Sequence, residues 1–275
     1  MTSNELNAFI EPLIEAAVAA GESILHFYEN PDQLNIQNKS DKTQVTAADL
    51  SANRILTKYL QGLTPEWPII SEEDQLPDFN RRQSWSQYWL LDPLDGTKGF
   101  INHLDDFTVN IALIVDHVPV LGVLYVPVTG CCYFGYRDGG AFVLNKGEAP
   151  KTIHTQPVDL DEIRFVVGQY HNLKRIQPIL DHYKNCKILR VNSSLKFARI
   201  AEGVADVYPR FGPINEWDTA AGQAILEAAG GAVVTLDGKN FSYNLRESIL
   251  CPPFLAVGDV ARVPELIDIF KTFSV

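Results

Sequence analysis

The chain has 275 residues, of which 46% are hydrophobic and 21% are charged, and its net charge is −11. Such a composition is typical of a water-soluble globular protein, and the length allows one large domain or two closely packed halves. The acidic balance disfavours binding to polymeric nucleic acid, which requires a basic surface, whereas a small anionic substrate can still be held through bound cations.

Membrane and targeting signals are not found in the sequence. The first lysine or arginine is Lys39, so neither a signal peptide nor an arginine-rich transit helix is predicted. No apolar run approaches the roughly 20 residues of a membrane span. We expect a cytoplasmic protein, monomeric or homodimeric, and leave open a peripheral association with the cytoplasmic face of the inner membrane.

Cysteine spacing argues against a metal or redox motif. The four cysteines are Cys131, Cys132, Cys186 and Cys251. Because this spacing matches neither a zinc-binding nor a dithiol pattern, all four are interpreted as buried thiols, which suits a reducing compartment.

Two helices are predicted near the N-terminus. Residues 2–5 have the form of a capping box, and the apolar residues that follow recur at helical spacing up to Leu25. A second helix is expected to begin at Thr46 or Ala47. It places Asp49 in its first turn, where an acidic residue interacts favourably with the helix dipole, so Asp49 has a structural interpretation beside a catalytic one.

Two predicted strands end in acidic residues. Residues 68–70 form a short strand followed by three acids, of which Glu72 is the first; such a charge run is usually a solvated loop. Residues 89–91 form a buried strand that we expect to stop at Asp92, because Pro93 cannot continue the ladder. If the two strand ends lie side by side, their carboxylates meet.

The segment after the second strand has the composition of a metal and phosphate site. Asp92 and Asp95 lie three residues apart on the expected loop. Gly96 permits an unusual backbone angle, and Thr97 can open a short helical turn. Two carboxylates, the Leu94 carbonyl and free N–H groups suit Mg²⁺ with a phosphate against it. A turn in which aspartate and glycine have only structural roles is the alternative.

The pattern then changes to hairpins and afterwards to alternating strands and helices. Turns separate four predicted strands of an antiparallel meander, residues 108–115, 120–126, 131–135 and 141–144. Beyond residue 150 the predicted order is strand 164–167, helix 173–183, strand 187–191, helix 194–202 and strand 205–208. We therefore predict two halves, an α+β half of residues 1–150 and an α/β half of residues 151–275.

A second acidic stretch accompanies a predicted helix in the α/β half. Asn215 can cap a helix that runs to Gly230, which places Asp218 in its first turn. Compensation of the helix dipole alone would explain an acidic residue there, so the residue type leaves the role of Asp218 open.

Three stretches of the chain resemble known signatures. They read DPLDGTK at residues 92–98, FTVNIAL at 107–113 and WDTAAG at 217–222. They resemble the Mg²⁺-dependent, lithium-sensitive phosphatase superfamily that includes inositol monophosphatase. The first two are most similar to its CysQ-type 3'(2'),5'-bisphosphate nucleotidase branch. The resemblance extends from about residue 38 to about residue 250.

The resemblance implies a sugar-phosphatase-type α/β fold, an α-β-α-β-α layered sandwich with a mainly antiparallel N-terminal sheet. It also implies two or three Mg²⁺ ions and inhibition by Li⁺. The expected metal ligands are Glu72, Asp92, the Leu94 carbonyl, Asp95 and Asp218. The expected catalytic residues, which place and activate the attacking water, are Asp49, Thr97 and Glu72. Asp41 would order a loop or serve a third metal.

Substrate recognition is inferred from the same resemblance. The residues expected to contact the substrate are Glu72, Leu94, Asp95, Gly96, Thr97, Ser193, Lys196, Arg210 and Asp218. Lys196 and Arg210 suit a second phosphate chemically, since both bind phosphate and a guanidinium also stacks on adenine. The structural alternative is a solvated lysine and a surface arginine.

The chain departs from the nucleotidase pattern at three places. That pattern usually has glutamate where this chain has Gly99, and glycine where it has Asn192. It often has S-R-S-H where residues 168–171 read GQYH. The expected activity is hydrolysis of adenosine 3',5'-bisphosphate to AMP and phosphate. The alternatives are an inositol monophosphatase-like or broad sugar phosphatase, and a non-catalytic protein that binds nucleotide or metal.

Overall fold

The computed structural model describes residues 1–38 and 44–273, so Asp41 lies outside the described residues. Within these ranges the α-helices are α1 (Ser3–Glu29), α2 (Ala47–Leu63), α3 (Phe79–Arg82), α4 (Thr97–Ile101), α5 (Gln177–His182), α6 (Leu195–Ala201), α7 (Ala220–Ala228) and α8 (Val263–Phe273). The strands are β1 (Gln37–Asn38), β2 (Gln44–Val45), β3 (Ile69–Ser71), β4 (Gln87–Asp95), β5 (Thr108–Val115), β6 (Val118–Val126), β7 (Cys131–Tyr136), β8 (Gly140–Leu144), β9 (Lys151–Ile153), β10 (Ile163–Val167), β11 (Cys186–Arg190), β12 (Val207–Arg210), β13 (Ala232–Thr235) and β14 (Phe254–Val257).

The first sheet contains β3 to β9 in sequence order. β3 and β4 are parallel, and every later neighbouring pair is antiparallel. β5 and β6 are nearly continuous buried runs, as expected of strands whose two faces are both covered. The predicted antiparallel meander is confirmed.

The second sheet contains five strands in the order β11-β10-β12-β14-β13. β10 is parallel to both β11 and β12, whereas β14 is antiparallel to β12 and β13. Parallel neighbours require a crossover connection, and the chain supplies one through α5 and another through α6. The predicted alternation of strands and helices beyond residue 150 is confirmed.

Helices cover and separate the two sheets. α1 and α2 cover one face of the first sheet, where Leu13 and Leu56 share a buried cluster with Trp89. α6 and α7 lie between the sheets, and their Phe197 and Ile225 belong to the central core. α5 and α8 cover the outer face of the second sheet. The layers therefore follow the predicted α-β-α-β-α order.

The first sheet and α7 approach each other closely at Gly122 of β6. A β-carbon at this position would lie 2.3 Å from the Ala221 carbonyl oxygen, a distance that side chains do not tolerate. The absent side chain allows the first turn of α7 to lie directly on the sheet. This contact brings the segment that precedes α7, with its predicted ligand Asp218, to the sheet.

Two local predictions are wrong. β4 runs on to Asp95 instead of stopping at Asp92, because Pro93 lies within a register shift where no regular ladder hydrogen bond is needed. The second concerns Asn215, which was expected to cap a helix with Asp218 in its first turn: α7 begins at Ala220, after Asp218, and its N-cap residue is Thr219. The Asn215 N–H instead donates to the Asp218 carboxylate at 2.8 Å, which closes a turn before the helix.

The cysteine interpretation is only partly correct. All four thiols are free, as expected, but only Cys132 is buried. The other three are partly exposed. Cys131 and Cys186 are the first residues of β7 and β11, and Cys251 lies outside the helices and strands.

No helix among the described residues is both long and apolar enough to cross a membrane. The division of the chain at residue 150, the oligomeric state and the cytoplasmic location stay predictions.

Candidate active site

Two parallel strands deliver acidic residues to one edge of the first sheet. Ser71, the last residue of β3, pairs with Leu91 of β4, and the Glu72 N–H donates to the Leu91 carbonyl at 3.2 Å. Glu72 and Asp92 therefore follow directly after paired residues. The expectation that the two acidic segments lie side by side is met.

Asp218 joins Glu72 and Asp92 from the turn before α7. One carboxylate oxygen from each of the three residues lies within 4.8 Å of the other two. Residues that are far apart in the sequence thus form a compact group of carboxylates, which we name the acidic cluster.

The irregular end of β4 connects the acidic cluster to Thr97. The register of β4 against β5 shifts between Asp92 and Asp95, and the Leu94 N–H donates to Asp92 Oδ1 at 3.1 Å. Gly96 then takes a positive φ of 95°, which begins the short helix α4. Thr97 Oγ1, in the first turn of that helix, lies 3.2 Å from the Leu94 carbonyl oxygen.

Asp95 lies beside the acidic cluster and is held by two neighbours. Its Oδ2 accepts hydrogen bonds from Ser194 Oγ at 2.6 Å and from Asn110 Nδ2 at 3.4 Å. Ser194 Oγ is also 2.8 Å from the backbone carbonyl of Asp218, and its single hydrogen can serve only one acceptor at a time. Ser194 therefore links Asp95 to the turn that carries Asp218.

Burial and mutual repulsion disfavour the ionised forms of these carboxylates. Asp92 is 1% exposed, and its pKa is raised well above its usual range by burial and then by the charges of Glu72, Asp95 and Asp218. Burial and the charges of Asp95 and Glu72 raise the pKa of Asp218 to about 8. Without a counter-charge, the acidic cluster therefore binds protons unusually tightly.

The acidic cluster supplies the oxygen ligands that a hard divalent cation prefers. Asp92 Oδ2 is buried and receives no hydrogen bond from the described residues. Mg²⁺ and similar ions prefer carboxylate and carbonyl oxygens, and they relieve the repulsion between grouped carboxylates. Glu72, Asp92 and Asp218 fit such an ion, with Asp95 and the Leu94 carbonyl close by.

Asp49 contacts the same region from the start of α2. Its Oδ2 accepts from the Thr46 N–H at 2.8 Å and from Thr46 Oγ1 at 2.6 Å, which completes a capping box. Its Oδ1 accepts from Thr97 Oγ1 at 3.1 Å. Burial raises the pKa of Asp49, although these hydrogen bonds oppose the rise. The structural and catalytic interpretations of Asp49 are therefore compatible.

Two adjoining cavities contain all the predicted substrate-contact residues. The larger, of about 1000 Å³, is lined by the acidic cluster and by Leu94, Asp95, Gly96, Thr97 and Arg210. The smaller, of about 130 Å³, shares Asp95, Arg210 and Asp218 with the larger and adds Ser193 and Lys196. Asp49 does not line either cavity and reaches the larger one through Thr97.

Lys196 is a buried cation at the smaller cavity. It is 7% exposed, its Nζ donates to the Ser193 carbonyl, and the same atom lies 5.3 Å from the centre of the Tyr208 ring. Burial lowers the pKa of Lys196 to about 8 against the opposing charge of Asp95. The alternative of a solvated lysine is therefore wrong. Arg210, partly buried, donates to backbone carbonyls two and three residues further on.

The segment around His171, whose sequence differs from the nucleotidase pattern, lies beside Lys196 and Arg210. His171 and Tyr170 line a third cavity, of about 570 Å³, together with Lys196 and Arg210. Burial and the charge of Arg210 lower the pKa of His171, which favours its neutral form. The Lys98 ammonium lies 4.4 Å from the centre of the Tyr170 ring, so the segment also contacts α4.

Sequence reasoning missed Ser194 and Asn110. Ser193 is the predicted residue of the serine pair, whereas Ser194 is the residue that contacts Asp95. Asn110 donates to both Asp95 and Ser194, at 3.4 and 2.7 Å. The only sequence signals were a second serine in the pair and a polar residue within the apolar run of β5.

A group of carboxylates beside a lysine and an arginine, in an α-β-α-β-α sandwich, is typical of the class of metal-dependent phosphatases. Residues 5–266 of the chain match the inositol monophosphatase family, and the chain belongs to that family. The 3'(2'),5'-bisphosphate nucleotidase CysQ of Salmonella typhimurium is 41% identical over 245 residues, which cover 89% of this chain and 98% of that protein.

Solved structures agree with this assignment. CysQ from Bacteroides thetaiotaomicron, described as a bacterial member of the inositol monophosphatase family, superposes with a TM-score of 0.79 at 35% identity; the match covers 90% of this chain and 96% of that one. Inositol monophosphatase from Anabaena superposes with a TM-score of 0.78 at 25% identity, covering 98% and 97%. The predicted fold class is confirmed.

Proposed function

We propose that this chain is a 3'(2'),5'-bisphosphate nucleotidase that converts adenosine 3',5'-bisphosphate to AMP and phosphate. The observation that carries the proposal is that Arg210 lines both the cavity over the acidic cluster and the one that contains Lys196. A substrate with two phosphates suits this arrangement, because one can occupy the metal site while the other faces the cations. Relatives named as such nucleotidases, 40–41% identical over 89% of the chain, support the same substrate.

The proposed cofactor is Mg²⁺, as two or three ions. Glu72, Asp92 and Asp218 would hold them together with Asp95 and the Leu94 carbonyl. When bound, these ions supply Lewis acidity and neutralise the charge of the phosphoryl group and of the grouped carboxylates. The raised pKa of Asp218 and the buried Asp92 Oδ2 support a cation at this position.

Asp49 and Thr97 form the proposed water-orienting pair. When the Thr97 hydroxyl donates to Asp49, its oxygen can accept a hydrogen bond from a water molecule in the larger cavity. That contact aims the lone pair of the water at the phosphorus atom. The proton released by the water passes through the hydroxyl to the carboxylate, and the leaving ribose oxygen takes a proton from solvent.

Lys196 and Arg210 are the proposed clamp for the second phosphate. Ser193, which has a positive φ of 52°, donates its hydroxyl to the Asp106 carbonyl at 2.7 Å. Its own carbonyl accepts from Lys196 Nζ, so Ser193 is proposed to hold Lys196 beside the substrate. The N–H groups at Gly96 and Thr97 are proposed to bind the oxygens of the phosphate that is removed.

The test is phosphate release with Mg²⁺ from adenosine 3',5'-bisphosphate and from inositol 1-phosphate, measured side by side. We expect a strong preference for the nucleotide. Lys196→Met should lower kcat/KM for the nucleotide about 100-fold, since a hydrogen bond to a charged group contributes about 1.5–3 kcal/mol. The same variant should change turnover of the monophosphate far less. Lys187→Met, at an exposed lysine, is the matched control.

Two results would overturn the proposal. A preference for inositol 1-phosphate would assign the chain to the inositol monophosphatase-like or broad sugar phosphatases. Binding of the nucleotide and Mg²⁺ without phosphate release would indicate a non-catalytic binding protein.

A further inference from the structure

Asn53 is a buried polar residue that no catalytic expectation includes. It lies on α2 one turn after Asp49, and it is 7% exposed. Residues four positions apart occupy the same face of a helix, so Asn53 and Asp49 project from α2 in similar directions. The face that presents Asp49 to Thr97 thus also presents an amide to the first sheet.

The Asn53 amide forms hydrogen bonds with residues on both sides of Glu72. Its Oδ1 accepts from Ser71 Oγ at 2.7 Å, and its Nδ2 donates to Asp74 Oδ1 at 2.9 Å. Since an ionised carboxylate only accepts hydrogen bonds, the contact with Asp74 fixes which end of the amide faces which partner. A single side chain therefore connects the residue before Glu72 to the second residue after it.

Ser71 and Asp74 also close the turn itself. The Asp74 N–H donates to the Ser71 carbonyl at 3.3 Å, and the Glu73 N–H donates to Ser71 Oγ at 3.4 Å. Ser71 is 2% exposed, so its hydroxyl cannot exchange Asn53 for bulk water without opening the turn. Asn53 thus anchors the turn to α2 at both of its ends.

We propose that Asn53 is a positioning residue that fixes the separation between Asp49 and Glu72. Asp49 lies on α2, and Glu72 lies in the turn that is hydrogen-bonded to Asn53. The Asn53 amide therefore fixes the position of the metal-binding carboxylate relative to the water-orienting one. This inference rests on the proposed function for the roles of those two carboxylates. A cation tolerates only small displacements of its ligands, so a loosened turn weakens metal binding.

The experiment exchanges the two polar partners. Asn53→Asp places a carboxylate against the Asp74 carboxylate, which removes the hydrogen bond between the two side chains and adds charge repulsion. The double variant Asn53→Asp with Asp74→Asn restores both contacts, because the carboxylate introduced at position 53 accepts from Ser71 and from the amide introduced at position 74, and net charge is unchanged. Gln61→Glu, at an exposed position on α2, adds the same charge as Asn53→Asp and is the matched control.

Binding of Mn²⁺ alone is measured by electron paramagnetic resonance on the full chain, well below the melting temperature of every variant. We expect Asn53→Asp to raise the Mn²⁺ dissociation constant about tenfold, which corresponds to about 1.4 kcal/mol. The double variant should return it to within about twofold of wild type. Asp74→Ala, an exposed truncation expected to fold, should raise it about threefold through the loss of one hydrogen bond.

The direction of the effect separates positioning from simple charge. An added carboxylate near a cation site by itself tightens cation binding, so Asn53→Asp would lower the dissociation constant if Asn53 were only a neighbour. Unchanged or tighter Mn²⁺ binding in Asn53→Asp, or a double variant as weak as the single one, overturns the proposal. If Asn53→Asp does not fold, the double variant and Asp74→Ala decide. Because the readout is metal binding, failure of the nucleotide to be hydrolysed would not affect it.

Discussion

A β-carbon at Gly99 would lie 3.6 Å from Asn192 Nδ2. These are two of the three positions at which the sequence departs from the nucleotidase pattern, and they are neighbours in the fold. Asn192 is held by Asp106, whose carboxylate accepts from the Asn192 N–H at 2.7 Å and from its Nδ2 at 2.9 Å. The departures at Gly99 and Asn192 therefore form one local arrangement that leads directly into Ser193.

Asn192→Ala should raise KM for the bisphosphate about tenfold. It removes the side-chain hydrogen bond to the Asp106 carboxylate, and a hydrogen bond to a charged group contributes about 1.5–3 kcal/mol. That bond lies close to Lys196 and Arg210, which are proposed to bind the substrate. kcat should stay within about twofold, since the metal site is untouched. Steady-state kinetics measure both. Gly99→Ala is the control: 3.6 Å is ordinary van der Waals contact, so KM should not change. An unchanged KM in Asn192→Ala would contradict the role assigned to this arrangement.

Thr97→Val should lower kcat by about 100-fold or more, the usual scale for loss of a group that transfers or orients a proton. The valine keeps the shape of threonine but cannot bridge Asp49 and the attacking water. Thr97→Ser keeps the hydroxyl and should retain most of the activity. Single-turnover phosphate release at saturating Mg²⁺ measures the difference. Equal rates for the valine and serine variants would exclude Thr97 from proton transfer.

Local signals made much of the fold predictable. The meander from β5 to β8 could be located within two residues, because turns separate runs of buried residues whose periodicity is local. The start of α2 was also predicted correctly, and the structure adds a capping box between Thr46 and Asp49 there. The meeting of Glu72 and Asp92 followed from two apolar strands that both end in acids.

Contacts between distant segments were not predictable. Ser194 and Asp95 are 99 residues apart in the chain, and nothing near either one indicates that contact. The burial of Lys196 likewise depends on packing between α6 and β12, which no local pattern specifies. The start of α7 was misplaced because Asp218 uses its carboxylate to close a turn with Asn215, which competes with helical capping.

The metal-free protein should lose stability as pH rises from about 4 to about 8. Asp92 and Asp218 have folded-state pKa values above their unfolded values, so their stabilising contribution is complete below the unfolded pKa near 3.9 and disappears as the folded pKa is passed. Mg²⁺ should remove this loss, because it replaces the bound protons.

Melting temperatures in EDTA and in Mg²⁺ test this at pH 5 and pH 8. The increase caused by Mg²⁺ should be larger at pH 8. Asp92→Asn, which removes one buried charge, should raise the melting temperature in EDTA at pH 8 and reduce the increase caused by Mg²⁺. A melting temperature in EDTA that is the same at both pH values would show that the acidic cluster is not protonated when empty.

The affinity for the bisphosphate should fall at alkaline pH through Lys196. Burial lowers the pKa of Lys196 to about 8, so at pH 9 only about a tenth of the free enzyme carries this charge. kcat/KM for the bisphosphate, which reports the ionisation of free enzyme, should therefore fall about tenfold per pH unit above that value. Lys196→Arg keeps its charge throughout this range, so its kcat/KM should not change between pH 7 and pH 9. The value should be lower than that of wild type, because a guanidinium does not fit the buried site as an ammonium does. Parallel profiles for wild type and Lys196→Arg would assign the alkaline limb to another group.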